Sequence, residues 1–331
     1  MFGIRKVFET QGLSERAIQL IMSSWSEGTK KQYAPHLFRW FEFCKNQKIS
    51  NPFNASVNNG IEFLSDYFYN DNAGYSLMNT ARSALSAVIP PFAGMTFGNQ
   101  PIVRRLLKGV FKERPSLPKY TVTYDVEQVF QFIRNLPDIN SLSLELLTKC
   151  TAVLMCLLTG QRSQTIAFLD LDYMHLDQDK AVFYIPSLLK QSRPTFHQDP
   201  LEFKKFPEDD KICPLKFITN YINYTSCIRL EKHKRFFLSY VEPYKPVGST
   251  TIARWVCDIL TKSGIETKTF SAHSTRSAST SKARTKNLSL VEISKAAGWS
   301  NSRTFAKFYN KTIVHNFGEE ILKQTVTLPQ M

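Results

Sequence analysis

The stretch Ala272-His-Ser-Thr-Arg-Ser-Ala-Ser-Thr-Ser-Lys-Ala-Arg-Thr-Lys-Asn-Leu-Ser-Leu-Val-Glu-Ile-Ser-Lys-Ala-Ala-Gly-Trp-Ser-Asn-Ser-Arg-Thr-Phe-Ala-Lys-Phe-Tyr-Asn310 decides how the chain is read. In order it offers His273, Arg276, Trp299 and Tyr309, and Arg162 lies far upstream in TGQRSQ. Attack on a phosphodiester without metal needs a nucleophile, donors for two non-bridging oxygens and a proton for the leaving oxygen. Arginine is always charged and its planar fork matches phosphate, so a pair can hold both oxygens. Tyrosine can form a covalent phosphotyrosine that stores the bond for rejoining. Its ordinary pKa of about 10 calls for a base or cations nearby, which His273 and the arginines supply.

Outward from that stretch, the totals suit a polyanionic partner. The 331 residues carry 42 Lys and Arg against 28 Asp and Glu, a formal net charge of +14. Residues 1–120 hold 15 basic and 8 acidic residues, so neither half is a basic tail on a neutral body. Both halves are expected to face the polyanion, as two lobes of a clamp around a duplex. With 43% hydrophobic residues and no apolar run of about 18, no membrane span is expected. The start, MFGIRKVFETQGLSER, lacks the apolar core of a signal peptide, which suggests a soluble intracellular protein. The six cysteines (44, 150, 156, 213, 227, 257) form no CxxC pair and read as reduced, mostly buried thiols, so no metal is expected.

Residues 12–114 read as an all-helical domain. Leu13, Ala17, Leu20 and Ile21 mark one helical face, and Tyr33, Leu37, Trp40, Phe41 and Cys44 a second. Pro35 must sit in the first turn of that second helix or kink it. Val57, Ile61, Leu64 and Phe68 mark a third helix. Ser76 is the expected N-cap of a fourth, with Leu77, Ala81, Leu85 and Val88 inward. A fifth, with Val103, Leu106, Leu107 and Val110, carries Arg104, Arg105, Lys108 and Lys112, expected to contact phosphates. Residues 112–125 have linker composition, and the boundary falls near Lys119, giving domains 1–118 and 119–331.

The second domain reads as mixed. Val126, Val129, Phe130 and Ile133 mark a helix, and residues 144–158 are apolar nearly all round, as in a core helix stopped at Gly160. A short helix at 163–169 should follow. AVFYIP (181–186) and DPLEFKKF (199–206) read as a strand hairpin. Residues 214–228, 249–263, 273–285, 289–297 and 302–309 read as helices. The fold class is therefore mostly α with a small β-hairpin.

TGQR, HSTR and GWSNSRTFAKFY together resemble the tyrosine recombinase (phage integrase) family. Trp299 follows Arg276 by 23 residues, as the family's second His or Trp does. SEGTKKQYAPHLFRWFEFC resembles the opening helix of the family's helical, SAM-like core-binding domain. GQRSQT, LLKQSRP and AAGWSNSRTFAKFYNK are most similar to recombinases of DIRS and Crypton type from eukaryotic mobile elements, which implies the nucleus.

The resemblance implies a core-binding domain followed by a catalytic domain, acting on double-stranded DNA without a cofactor. Strands would be cut and rejoined through a 3′-phosphotyrosine and a Holliday junction, for integration or excision of a mobile element. It implies that Arg162 and Arg276 clamp the scissile phosphate and that His273 is the base. Trp299 would donate its indole N–H, Tyr309 would be the nucleophile, and Lys190, after the AVFYIP strand, would protonate the 5′ oxygen. Arg193 and Lys204 are rivals to Lys190 on the same hairpin.

Two departures stand out. The acidic residue common three positions after the first arginine is Thr165, so Gln164 or Thr165 would buttress Arg162. The nucleophile usually sits nine residues after the His or Trp; here that position is Phe308 and the tyrosine is at ten. Its helix must gain a residue or turn by about 100°. Ile313, Phe317, Ile321 and Leu322 form a stripe in the terminal segment, about 311–331. That segment would either pack on its own domain or dock on a neighbour in a tetramer on two DNA sites. The rival readings are a catalytically silent DNA-binding derivative and a type IB topoisomerase.

Overall fold

In the computed structural model the described residues are 2–116, 120–190, 192–299, 303 and 305–313. The chain divides into two compact units, Met1–Pro118 and Lys119–Met331. The sequence-based boundary at Lys119 and the whole segment after Ile313 lie outside the described residues.

The first unit is helical: α1 (Phe2–Thr10), α2 (Glu15–Ser23), α3 (Glu27–Asn46), α4 (Val57–Asn70), α5 (Tyr75–Leu85) and α6 (Pro101–Glu113). Ser14, Ser26 and Ser56 begin α2, α3 and α4, each hydroxyl accepting a backbone N–H that the helix leaves free. Trp40, Phe63, Leu64, Met78, Leu85 and Phe97 anchor the core.

Four sequence expectations change here. The helix α1 lies before the expected start of the domain, and its Ile4 is fully buried. In α2 the buried residue is Ile18, whereas Leu20 is 76% exposed, because α1 packs on the other flank. The fourth helix starts after Gly74 rather than Ser76 and buries Met78 and Ala84, leaving Leu77 exposed. Pro35 lies well inside α3. The helical donor it removes is the one to the carbonyl of Lys31, an exposed residue, where water can take its place.

Pro101 opens α6 at the position where a missing N–H costs nothing. Val103, Leu107 and Val110 are buried along one side, and Arg104, Arg105, Lys108 and Lys112 are all exposed on the other.

The second unit is built on α8 (Leu144–Thr159), which is buried from Leu147 to Leu157. Before it come β1 (Val122–Thr123) and α7 (Glu127–Arg134). After it come α9 (Ser163–Ala167), β2 (Met174–Leu176), β3 (Lys180–Phe183), β4 (Leu201–Lys204), α10 (Pro214–Ser226), α11 (Ser249–Lys262), α12 (Ser274–Thr285) and α13 (Leu290–Ala296). A π-helical turn, Phe305–Tyr309, and β5 (Thr312–Ile313) follow. Helices α10, α11 and α12 pack around α8.

The expected hairpin is a three-stranded antiparallel sheet, β2-β3-β4, because the short Met-His-Leu strand joins its outer edge. Ala181 opposes Phe203 and Phe183 opposes Leu201, so all four side chains point into the core on alternate positions. The AVFYIP strand ends at Phe183, and the described residues between it and Leu201 form the long β3–β4 loop.

Ile313 is not part of a helical stripe. It lies in β5, which pairs in parallel with β1 through Val122–Thr312 and Thr123–Ile313. Cys44, Cys150, Cys156 and Cys213 are buried free thiols, Cys257 is half-buried and Cys227 is exposed.

Candidate active site

Arg276 is the centre of the arrangement. It sits in the first turn of α12 and has no exposed surface. Its Nη1 donates to the Gly160 carbonyl at 2.8 Å and its Nη2 to the Ala297 carbonyl at 2.6 Å. Those carbonyls close α8 and α13, where the helix dipole is negative, so a guanidinium is the natural donor. Gly160 ends α8 with φ of 60°, and Gly298 follows α13 with φ of 65°, both in the left-handed region. Arg276 thus staples together the turn before Arg162 and the turn before Trp299.

A second staple lies beside it. Gln161 is 2% exposed; its Nε2 donates to the Ala296 carbonyl at 2.7 Å, and its Oε1 accepts from the Thr165 hydroxyl at 3.2 Å. The expected buttress therefore holds Gln161; among the described residues no hydrogen bond joins Gln164 or Thr165 to Arg162. Sequence reasoning missed Gln161, whose partner is a backbone carbonyl 135 residues away. The only signal was a polar residue at the end of an apolar helix.

Arg162 opens α9 in extended conformation (φ −81°, ψ 152°) and is half-buried. Among the described residues neither Arg162 nor Arg276 has a carboxylate within ion-pair distance. Loss of solvent, with Arg162 close by, lowers the Arg276 pKa to about 9; the Tyr309 phenol pulls the other way. Arg276 remains charged at neutral pH, and an anion is what the pair lacks.

The Tyr309 hydroxyl lies 3.1 Å from His273 Nε2. The extra residue between Trp299 and Tyr309 is absorbed by the π turn, in which the Asn310 N–H bonds to the Phe305 carbonyl at 2.9 Å. A π turn holds one more residue than an α turn, which brings Tyr309 back into register. Residues 302 and 304 of the expected helix lie outside the described residues.

Trp299 is 6% exposed, with its ring 4.6 Å from the Tyr309 ring, and the Arg276 guanidinium is 4.6 Å from the indole ring centre. Its indole nitrogen and Nε of Arg276 are closed off from solvent, and among the described residues neither has a hydrogen-bond partner.

His273 is exposed by area, yet its pKa is lowered, first by the protein packed around the ring and then by the charges of Arg162, Arg276 and Lys190. The imidazole is thereby neutral at neutral pH and free to accept a proton. Lys190 is exposed on the β3–β4 loop. Its rivals sit elsewhere: Arg193 lies over the Phe196 ring at 5.8 Å, and Lys204 stands opposite Lys180 in β4. Neither contributes to the His273 shift.

The cations Arg104, Arg105, Lys108 and Lys112 belong to the first unit and have no ion-pair partner among the described residues. No group of three or more His, Cys, Asp or Glu among the described residues is placed to hold a metal ion.

The fold is that of the tyrosine recombinases. The XerH site-specific recombinase, in a post-cleavage complex with palindromic difH substrate, superposes with a TM-score of 0.59 at 13% identity, over 90% of this chain and 79% of that one. The Tn1549 transposon integrase in complex with circular intermediate DNA gives 0.55 at 13% identity, over 97% and 98%. At such identity the likeness is one of fold. No protein-family model and no curated protein matches the sequence.

Proposed function

We propose that the chain is a site-specific DNA recombinase that cuts and rejoins strands through a 3′-phosphotyrosine. The observation that carries this reading is the Tyr309 hydroxyl within hydrogen-bond reach of His273 Nε2, beside two arginines that have no carboxylate partner among the described residues. In the proposed reaction the Tyr309 oxygen attacks phosphorus as its proton passes to His273. Arg162 and Arg276 take the charge that grows on the non-bridging oxygens, where loss of one such donor costs about 2.7–4 kcal/mol. Arg276 and the Trp299 indole N–H are closed off from solvent in this structure and would reach those oxygens only once the bound strand parts the side chains that cover them. The bond to the 5′ oxygen breaks, and Lys190 supplies that oxygen's proton. Rejoining runs the steps in reverse, with a 5′-hydroxyl displacing the tyrosine.

His273 and Tyr309 meet within one chain, which supports cleavage in cis. Arg104, Arg105, Lys108 and Lys112 would grip the duplex backbone. The resemblance to mobile-element recombinases extends the proposal to integration and excision through a Holliday junction, by a tetramer on two DNA sites, in the nucleus of a eukaryotic host.

The test uses a pool of nicked suicide duplexes of randomised sequence, with covalent adduct scored on a denaturing gel. Wild-type protein should form adduct and Tyr309→Phe should not. Adduct persisting in Tyr309→Phe would overturn the nucleophile. No adduct from the wild type would favour a silent DNA-binding derivative. Relaxation of supercoiled DNA without joining of two sites would favour a topoisomerase. Lys190→Ala should be rescued by a 5′-bridging phosphorothiolate, whose leaving group needs no proton.

A further inference from the structure

We propose that Ser281 is a positioning residue for Tyr309, holding the nucleophile's backbone against the helix that carries His273 and Arg276. The inference rests on the recombinase reading above. A π turn that the chain leaves for a strand after two intervening residues has a last carbonyl without a helical donor. The Tyr309 carbonyl is such a group, and Ser281 Oγ donates to it at 2.8 Å. The same oxygen accepts the Lys311 N–H at 3.1 Å. A hydroxyl has one proton and two lone pairs, so a single side chain brackets Asn310 from both sides. Ser281 is 2% exposed, which leaves no easy route for water to replace it.

Most hydroxyls of α12 serve the helix itself: Ser274, Thr275, Ser277 and Thr280 bond back to carbonyls three or four residues earlier in the chain. Such bonds stay within the helix and its first turn. Two reach outward: Ser279 donates to the Leu157 carbonyl of α8, and Ser281 to the Tyr309 carbonyl 28 residues away, which makes Ser281 the one that holds the turn carrying the tyrosine. It lies on the same helix as Arg276 and two turns beyond His273, so base, clamp and nucleophile share one rigid support. Downstream, Lys311 Nζ donates to the Tyr120 carbonyl at 2.6 Å and β5 pairs with β1. Those contacts hold the strand after the turn but do not touch the Tyr309 carbonyl. Loss of the Ser281 hydroxyl should therefore loosen the turn without unfolding the unit. Small displacements matter, since about 1 Å of misplacement can cost about 100-fold in rate.

The experiment compares full-length wild type with Ser281→Ala and Ser281→Cys, the second of the same shape with a larger, weakly hydrogen-bonding sulfur in place of the oxygen. Adduct formation is timed at saturating DNA on the suicide-duplex pool, and affinity for the same pool is measured separately. Both variants should form adduct about 30-fold more slowly, which corresponds to about 2 kcal/mol, with affinity unchanged. Amide exchange at Lys311 should quicken in both. Wild-type rates with wild-type exchange would overturn the proposal, as would slowing in Ser281→Ala alone, which would indicate packing. If the wild type forms no adduct while Lys311 exchange still quickens, the recombinase reading fails and the mooring stands as structure only.

Discussion

Replacing Arg104, Arg105, Lys108 and Lys112 together with alanine tests the grip of the first unit on DNA without any knowledge of a target site. All four side chains are exposed, and the buried side of α6 is carried by Val103, Leu107 and Val110. Alanine favours helix, so the thermal midpoint should hold or rise slightly. Each cation that neutralises a phosphate releases counterions and adds about 0.9 to the slope of log affinity against log salt. Four such contacts sum to about 3.6. Over a fourfold change in salt, from about 50 to about 200 mM, that slope is worth about 150-fold in affinity. The assay is fluorescence anisotropy of a labelled random duplex titrated at several salt concentrations. The wild type should lose about 150-fold more affinity across that window than the variant does. A slope that changes by less than about 1 would refute the argument, and the helix would then be a solvated basic face.

Three further outcomes follow from the site. The His273 ring should titrate below its ordinary value of about 6.5 when followed by NMR, and adduct formation should be level above neutrality and fall on acidification. The unfolded chain binds that proton more readily than the folded one. The stability held by neutral His273 is thus complete above about pH 6.5 and is lost as pH falls through the lower folded value; a ring titrating above 6.5 would contradict this. Gln161→Leu removes the donor to the Ala296 carbonyl and the acceptor of the Thr165 hydroxyl, and should cost about 1–3 kcal/mol in chemical denaturation. An unchanged midpoint would show that solvent already satisfies both groups. Gly298→Ala puts a Cβ 2.0 Å from Gln198 Oε1 at a φ of 65°. The Gln198 side chain can swing aside, but the left-handed backbone still costs about 1–2 kcal/mol, and a neutral result would mean that the turn relaxes.

Long apolar elements were legible in the chain because their pattern is redundant. Helix α8 is buried along most of its length, and no single residue had to be read correctly to find it. His273, Arg276 and Tyr309 could be chosen because spacing and residue type agreed. Short or mixed elements were not legible. The β2 strand is three residues long, and α1 carries charge through its middle. The buried face of α2 was misjudged because apolar residues are often exposed, and Leu20 is one of them. The staples of Arg276 and Gln161 end on backbone carbonyls, which every residue possesses, so no residue type could announce them.

The π turn bears on how relatives of this chain would be compared. Inserting one residue into a helix either rotates everything beyond it or is stored locally as a widened turn. Here the second outcome keeps Tyr309 at His273 and leaves Phe308 57% exposed. An alignment that counts residues from Trp299 would pair Phe308 with the nucleophile and score the protein as inert. One that follows the hydrogen bond from Asn310 to Phe305 would pair Tyr309 instead. In a lineage that tolerates such insertions, loss of the tyrosine from its expected column is no evidence that activity was lost.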